Sequence, residues 1–333
     1  MNKLTVSLSP HAKAPIDTQK VMLAVILALM PSFIASLYFF GVRAFIVTAV
    51  SVVAAVLTEY LITTILLKRK NTTSDLSAVV AGLLLAYNVP SSIPLWQIAS
   101  GAVFAMGIAK LAFGGLGNNP FNPALAGRAF MLVSFPQQMT TWPQPVVTKM
   151  MLNPDALTAA TPLGILKEHI KAGETIQQFS NKLPDYWHMF IGNIGGSLGE
   201  TSALAILIGG LFLLLIRVIS WRIPFFYLAG LVSITGIFYL IDPTRYADPL
   251  FHLLAGGVLL GAFFMATDLV TSPMSPAGQI IYALGGGILA ALIRLFGSYP
   301  EGCSYSILIM NAFVPLIDRA LPPSRFGKEA SRA

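Results

Sequence analysis

The sequence predicts an all-α polytopic membrane protein, with about ten transmembrane helices arranged as two inverted five-helix repeats containing broken helices. Three observations carry this. The 333 residues are 55% hydrophobic and only 11% charged, where a soluble domain holds about 25% charged residues. Apolar runs of bilayer-spanning length recur along the whole chain. Finally, Phe113-Gly114 and Phe296-Gly297 each precede a Pro- and Gly-bearing turn and a short helix, and these helices reach Ala129-Phe130 and Ala312-Phe313 at the same spacing.

Residues 1–20 are polar and contain Pro10 and Pro15. The apolar run that starts at Val21 lies too far in, and is too long, for a simple cleaved signal peptide. The segment is expected to be a cytoplasmic lead-in, with a signal anchor as the plain alternative. Runs 21–40 and 43–67 each have the length that crosses a bilayer, about 20 residues, and Lys68-Arg69-Lys70 stops the second. Run 76–89 is short and ends at Asn88-Val89-Pro90, and 93–113 crosses again. Run 121–135 is short and follows Gly114-Gly115-Leu116-Gly117-Asn118-Asn119-Pro120. Short segments interrupted by Gly and Pro suggest half-helices whose broken backbone lines a site. Two ordinary short helices with tight loops are the alternative. Five further crossings are expected at 202–219, 224–241, 249–266, 279–297 and 303–318.

The chain then divides into a lead-in 1–20, a membrane half 21–135, a polar loop 136–200, a second half 201–318 and a tail 319–333. Positive charge beside the spans sets topology, so the net charge of +7 does not imply nucleic acid. Lys3, Lys13, Lys20, the 68–70 triplet, Lys110, Arg217, Arg222, Arg319, Arg325, Lys328 and Arg332 fall on one side, expected to be cytoplasmic with both termini. Arg43, Arg245 and Arg294 fall opposite, as does the 136–200 loop. Lys110 and Arg128 are placed near the cytoplasmic edge, where long side chains snorkel.

Polar groups inside spans are costly and are candidates for function. They are Glu59, Asn119, Asn122 and Asp268, the last following Thr267 at the matching break of the second half. Asp268 reads equally as a helix cap or a loop carboxylate. The single cysteine, Cys303, excludes an intrachain disulfide framework and a multi-cysteine metal or iron–sulfur site. Redox chemistry would need an organic cofactor, or metals on partner chains. No His pair has metal-ligand spacing, no Gly-rich nucleotide loop stands in a strand–helix context, and no residue is assigned a catalytic role. In the polar loop, Asp155-Ala156-Leu157-Thr158-Ala159-Ala160-Thr161-Pro162-Leu163 ends on a Thr-Pro pair. Thr is a good N-cap and Pro is favoured at the first helical position. A phosphate joined to Thr161 would sit at a helix N-terminus, where free N–H groups favour an anion. An ordinary capped helix is the plain reading.

The Asp-x-x-Thr-Ala-Ala-Thr spacing resembles the signature at which a flavin transferase esterifies FMN, through its phosphate, to the last Thr. Other stretches extend the resemblance along nearly the whole chain. They are Ser9-Pro10-His11, Asp75–Asn88, Asn119–Arg128, Gly192–Ser202, Trp221-Arg222-Ile223-Pro224 and Tyr299-Pro300-Glu301-Gly302. Together they resemble the D subunits of the Rnf electron-transport complex, kin to the B subunit of the sodium-pumping NADH:quinone reductase. One departure is Thr158-Ala159, where the family often has Ser-Ser or Ser-Gly; the acceptor Thr161 remains. The resemblance implies electron passage between reduced ferredoxin and NAD, coupled to Na+ or H+ movement across a bacterial inner membrane. It implies covalent FMN on Thr161 with Asp155 and Thr158 in its motif. A second, non-covalent flavin, riboflavin by analogy with the quinone-reductase relative, would lie near Asn119, Asn122 and Asp268. Implied partners are the A, B, C, E and G subunits of Rnf, the last also flavinylated, and the flavin transferase. A non-redox channel or solute transporter fits the five-plus-five pattern equally well.

Overall fold

The computed structural model describes residues 17–69, 71–145, 160–299 and 301–322. No strand occurs among them. The first half contains α1 (Thr18–Phe40), α2 (Val42–Leu61), α3 (Ser77–Tyr87), α4 (Leu95–Phe104) and α5 (Pro123–Ser134). Helix α2 runs on as a π-helical turn, Ile62–Leu66, and α4 as a π-helical turn, Ala105–Lys110, followed by a 3-10 turn to Phe113. Gly41 alone joins α1 to α2; its φ of 66° lets its N–H close on Leu37 O while the chain reverses, a conformation costly for other residues.

The interval after α5 holds α6 (Pro136–Met139), α7 (Pro162–Lys171), α8 (Ile176–Phe179) and α9 (Tyr186–Ile191). The second half holds α10 (Ala203–Leu215), α11 (Arg222–Ile241), α12 (Pro249–Leu254), α13 (Val258–Leu260, continued by the π-helical turn Gly261–Met265), α14 (Pro276–Phe296) and α15 (Cys303–Ala320). Among the described residues, five helices are long and apolar enough to cross a membrane: α1, Val42–Leu66, Leu95–Phe113, α11 and α14. Their outward side chains, such as Leu27, Ile34, Leu57, Leu240 and Ile241, are exposed, as expected of a lipid-facing surface and not of a soluble domain.

Helices α3 and α5 have 11 and 12 residues. At 1.5 Å per residue they span roughly 17 Å, about half the 30 Å hydrocarbon core, so each has an end inside the protein. Backbone freed there needs partners. It finds them across the molecule: Tyr87 O and Val89 O accept the N–H groups of Gly199 and Leu198, both at 3.0 Å. Residues 197–202, expected in the polar loop and at the start of the second half, are thus buried against α3 and α1; Ser32 Oγ donates to Gly199 O at 2.8 Å. The crossing expected over 249–266 is broken. Gly256, with φ 67°, separates α12 from α13.

Helices of the two halves pack antiparallel in two places. On α1 and α10, a Cβ on Gly209 would lie 1.9 Å from Ala28 O, while Leu213 faces Val21 and Val25 across a cavity and Ser32 meets the segment before α10. Rising numbers on α1 therefore meet falling numbers on α10. On α5 and α15, Arg128 Nη1 donates to Ser304 Oγ. Asn122 N donates to the Asn311 carboxamide at 3.1 Å when that amide is turned to donate to Ile307 O. In both pairs the helices run antiparallel and side by side. Absent side chains permit the closest approaches, as membrane interfaces favour. Besides Gly209, Gly287 would place a Cβ 2.0 Å from Tyr227 O, where α14 crosses α11.

The interval between the halves has a small core of its own. Leu163 and Leu166 of α7, Phe179 of α8 and Met189 of α9 pack with Ala247, Phe251 and Ala255 around α12.

Candidate functional site

Thr161 is the N-cap of α7. Its backbone is extended at φ −64° and ψ 158°, Pro162 takes the first helical position, and its Oγ1 accepts the Gly164 N–H at 3.0 Å. The hydroxyl opens onto a cavity of about 180 Å³ walled by Leu132 of α5, Trp142, Tyr299 and Tyr305. The Tyr299 and Tyr305 ring centres lie 6.2 Å apart, with 29° between the ring planes. A half-buried hydroxyl at a helix N-terminus beside flat aromatic faces fits a phosphate ester bearing a planar ring. Asp155 and Thr158, expected to belong to the same motif, lie outside the described residues. The aromatic walls could not be foreseen, because Trp142, Tyr299 and Tyr305 come from separate loops and elements with no shared motif.

The floor of this cavity carries charge. Arg128, 5% exposed, donates to Asn88 Oδ1 at 2.9 Å, to Ser304 Oγ at 2.6 Å and to the Glu301 carboxylate. Glu301 Oε1 accepts the Gly257 N–H at 2.6 Å. Glu200 Oε1 takes the N–H and hydroxyl of Ser197, while its Oε2 is buried without a partner. A Cβ on Gly257 would stand 2.6 Å from both Glu200 Oε2 and Glu301 Oε1, so the break after α12 is where two acids approach a bare backbone. Arg128, expected to snorkel, is therefore buried in a polar network instead. Helix α5 starts inside the protein and runs toward Thr161, so its residue 128 reaches the wall of the Thr161 cavity. A charge count over loops cannot locate a cation on a half-helix.

A second cavity, of about 80 Å³, lies between the halves, and Asn119, Asn122, Asp268 and Lys110 all line it. The three residues singled out from sequence therefore meet at one place. They are differently employed there. Asn122 caps α5, accepting from Ala124 N and Leu125 N, and its Nδ2 donates to Met265 O across the half interface at 3.3 Å. Asp268 accepts from Val270 N and Thr271 Oγ1. Asn119 Nδ2 donates to Phe121 O, but its Oδ1 is buried and unpartnered. That orphaned oxygen suits an N–H on the polar edge of a ring. The cavity is smaller than the roughly 300–1,000 Å³ of ordinary ligand pockets. A flavin ring enters only if wall side chains such as Met22 and Leu213 turn aside.

Lys110 does not snorkel. It is 2% exposed and its Nζ lies 3.0 Å from Glu59 Oε1 and 2.6 Å from Ser77 Oγ. Thr72 Oγ1 also donates to Glu59 Oε1, at 2.7 Å. Glu59, expected as a functional intramembrane carboxylate, is the ion-pair partner of Lys110. The expectation missed the pair because the two residues are far apart in sequence.

The family described as NQR2, RnfD, RnfE matches residues 5–327. The chain is 48% identical to the D subunit of the Na+-translocating ferredoxin:NAD+ oxidoreductase complex of Acetobacterium woodii, over 97% of this chain and 95% of that one. It is 44% identical to the D subunit of the proton-translocating ferredoxin:NAD+ oxidoreductase complex of Clostridium ljungdahlii, covering 98% and 97%. It is 40% identical to the D subunit of the ion-translocating oxidoreductase complex of Stutzerimonas stutzeri, covering 94% and 93%.

Proposed function

The chain belongs to the NQR2, RnfD, RnfE family, and from that premise we propose that it is the membrane subunit of an Rnf complex that carries electrons between ferredoxin and NAD through covalently bound FMN. The observation that carries the flavin assignment is the Thr161 hydroxyl, set as the N-cap of α7 and opening onto an aromatic-walled cavity. FMN supplies the capacity to pass electrons singly or in pairs. The chain's own residues do the rest. Thr161 Oγ1 anchors the phosphate, and the first N–H groups of α7 face its charge. Tyr299, Tyr305 and Trp142 offer planar faces to the ring.

A second, non-covalent flavin, riboflavin by analogy with the quinone-reductase relative, takes the cavity between the halves, with Asn119 Oδ1 as its main acceptor and Asp268 and Asn122 at its rim. Both cavities are served by α5: Asn122 and Pro123 line one, and Arg128, Ala129 and Leu132 the other. Residues 122 and 129 are roughly 10 Å apart along the helix axis at 1.5 Å per residue. That proximity supports a short route from the membrane interior to Thr161.

The complex works in the bacterial inner membrane with both termini cytoplasmic and Thr161 on the outer side. It assembles with the A, B, C and E subunits and a flavinylated G subunit, after a flavin transferase has loaded Thr161. The coupling ion is Na+ or H+. The relatives do not choose between them, since two of comparable identity are named for different ions.

Flavin fluorescence of the denatured protein in a gel tests the reading, after co-expression with a flavin transferase. Wild type is expected to fluoresce and Thr161→Ala to be dark, with Thr161→Ser keeping part of the signal. A dark wild type would favour a non-redox channel or transporter.

A further inference from the structure

A third cavity, of about 280 Å³, lies on the Thr161 side of the molecule, walled off from the Thr161 cavity by α7. Leu163, Leu166, Lys167, Ile170 and Lys171 of α7 form one wall. Arg245 and Tyr246, His252 of α12, and the end of α14 from Arg294 to Phe296 form the others. Among the described residues, no carboxylate lines it.

Two of its groups are buried and incompletely bonded. His252 is 1% exposed, and neither ring nitrogen has a partner. Arg294 is 5% exposed; it donates to His252 O at 2.6 Å and Ala255 O at 2.9 Å, and its Nε is unpartnered. Unpaired buried donors are rare and each calls for an explanation. Lys167 Nζ is engaged with Tyr299 O and Arg294 O, satisfying the end of α14. Lys171 and Arg245 are exposed at the mouth, where Arg245 lies 5.9 Å from the Tyr246 ring centre. Glu301, the acid nearest Arg294, approaches from the Gly256 side and faces the Arg128 network.

We propose that this cavity binds a phosphate-bearing anion, held inside by His252 and Arg294 and at the mouth by Lys171 and Arg245. Burial, with Lys171 one turn away, draws the Lys167 ammonium below the usual lysine range. An anion between these cations would relieve that repulsion. The chemistry is shared by two sources. The exposed Phe296 and the apolar Leu295 beside the site would let the acyl chains of an anionic phospholipid follow the surface of α14. The open, basic mouth would equally admit free phosphate.

The test is a melting curve of the full chain in neutral detergent, with either phosphatidylglycerol in mixed micelles or inorganic phosphate added. At saturation, at least one probe raises the melting temperature by about 3 °C or more. The rise falls below about 1 °C in the Lys171→Gln/Arg245→Gln variant and is reduced in His252→Leu. Without probe the double variant should melt with wild type, because both residues are exposed. The histidine variant should be no less stable, because its ring makes no bond to lose. A rise from the phospholipid alone assigns a lipid headgroup, and a rise from phosphate alone a soluble anion. No rise with either probe, or an equal rise in the double variant, overturns the proposal.

Discussion

Replacing Lys110 with Met is expected to destabilise the protein more than replacing Glu59 with Gln. The ammonium has two routes to negative charge. It meets Glu59 Oε1 directly at 3.0 Å, and it donates to Ser77 Oγ, which in turn donates to Asp75 Oδ1. Glu59 has Lys110 as its only ion-pair partner among the described residues, with Thr72 as its other hydrogen-bond partner, and its Oε2 already has none. The side chains are 2% and 1% exposed, so solvent cannot take over either role. Removing one member of a buried pair costs about 3–5 kcal/mol, and Lys110→Met falls in that range because it strands Glu59. Glu59→Gln keeps an acceptor for both Thr72 and Lys110 and leaves Asp75 to balance the charge, so about 1–3 kcal/mol is expected. The double variant should be less damaged than the sum of the two, because no charge remains stranded. The assay is thermal unfolding of the purified chain in detergent, where Lys110→Met should lower the midpoint on the order of 10 °C. Equal midpoints for Lys110→Met and wild type, or a Glu59→Gln effect larger than that of Lys110→Met, would refute the reasoning.

Other outcomes follow from the same geometry. Asn119→Ala should lose acid-extractable flavin at a stability cost of about 0.5–1.5 kcal/mol, that of the one bond its side chain makes, to Phe121 O, since Oδ1 makes none in the fold; unchanged flavin content would remove Asn119 from the site. Asn122→Ala, by contrast, should cost about 0.5–2 kcal/mol as a lost N-cap, with further loss from the Met265 contact, and its flavin content is read only against that. Gly209→Val puts a Cβ 1.9 Å from Ala28 O and should separate α1 from α10, lowering the yield of folded protein; normal folding would contradict the close crossing of the halves. A cysteine placed at Lys182 in a Cys303→Ala background should react with an impermeant reagent only from outside the cell, and labelling only from the cytoplasmic side would reverse the orientation assigned to Thr161.

Much of the architecture was legible because lipid demands it. Uninterrupted apolar length set α1, α2, α11 and α14 close to their expected bounds. Shortness combined with Gly and Pro marked α3 and α5 as segments that end inside the protein. The Thr-Pro pair at 161 signalled its cap directly, because capping is local. What could not be read depended on partners distant in sequence. The Glu59–Lys110 pair arises only when α2 packs against the continuation of α4, and the Arg128 network joining Asn88 to Glu301 and Ser304 only when the halves close on one another. The break at Gly256 was hidden within an apolar run, since its cause is the approach of Glu200 and Glu301 from elsewhere. The polar composition of 136–200 gave no sign that 197–202 turn inward to satisfy the carbonyls of Tyr87 and Val89.

The most direct measurement of the central claim is peptide mass spectrometry on the chain purified after co-expression with a flavin transferase. The tryptic peptide ending at Lys167 should carry the mass of FMN less water, with fragmentation placing it on Thr161. An unmodified peptide from fully loaded cells, or FMN carried on any other residue of the chain, would contradict the account.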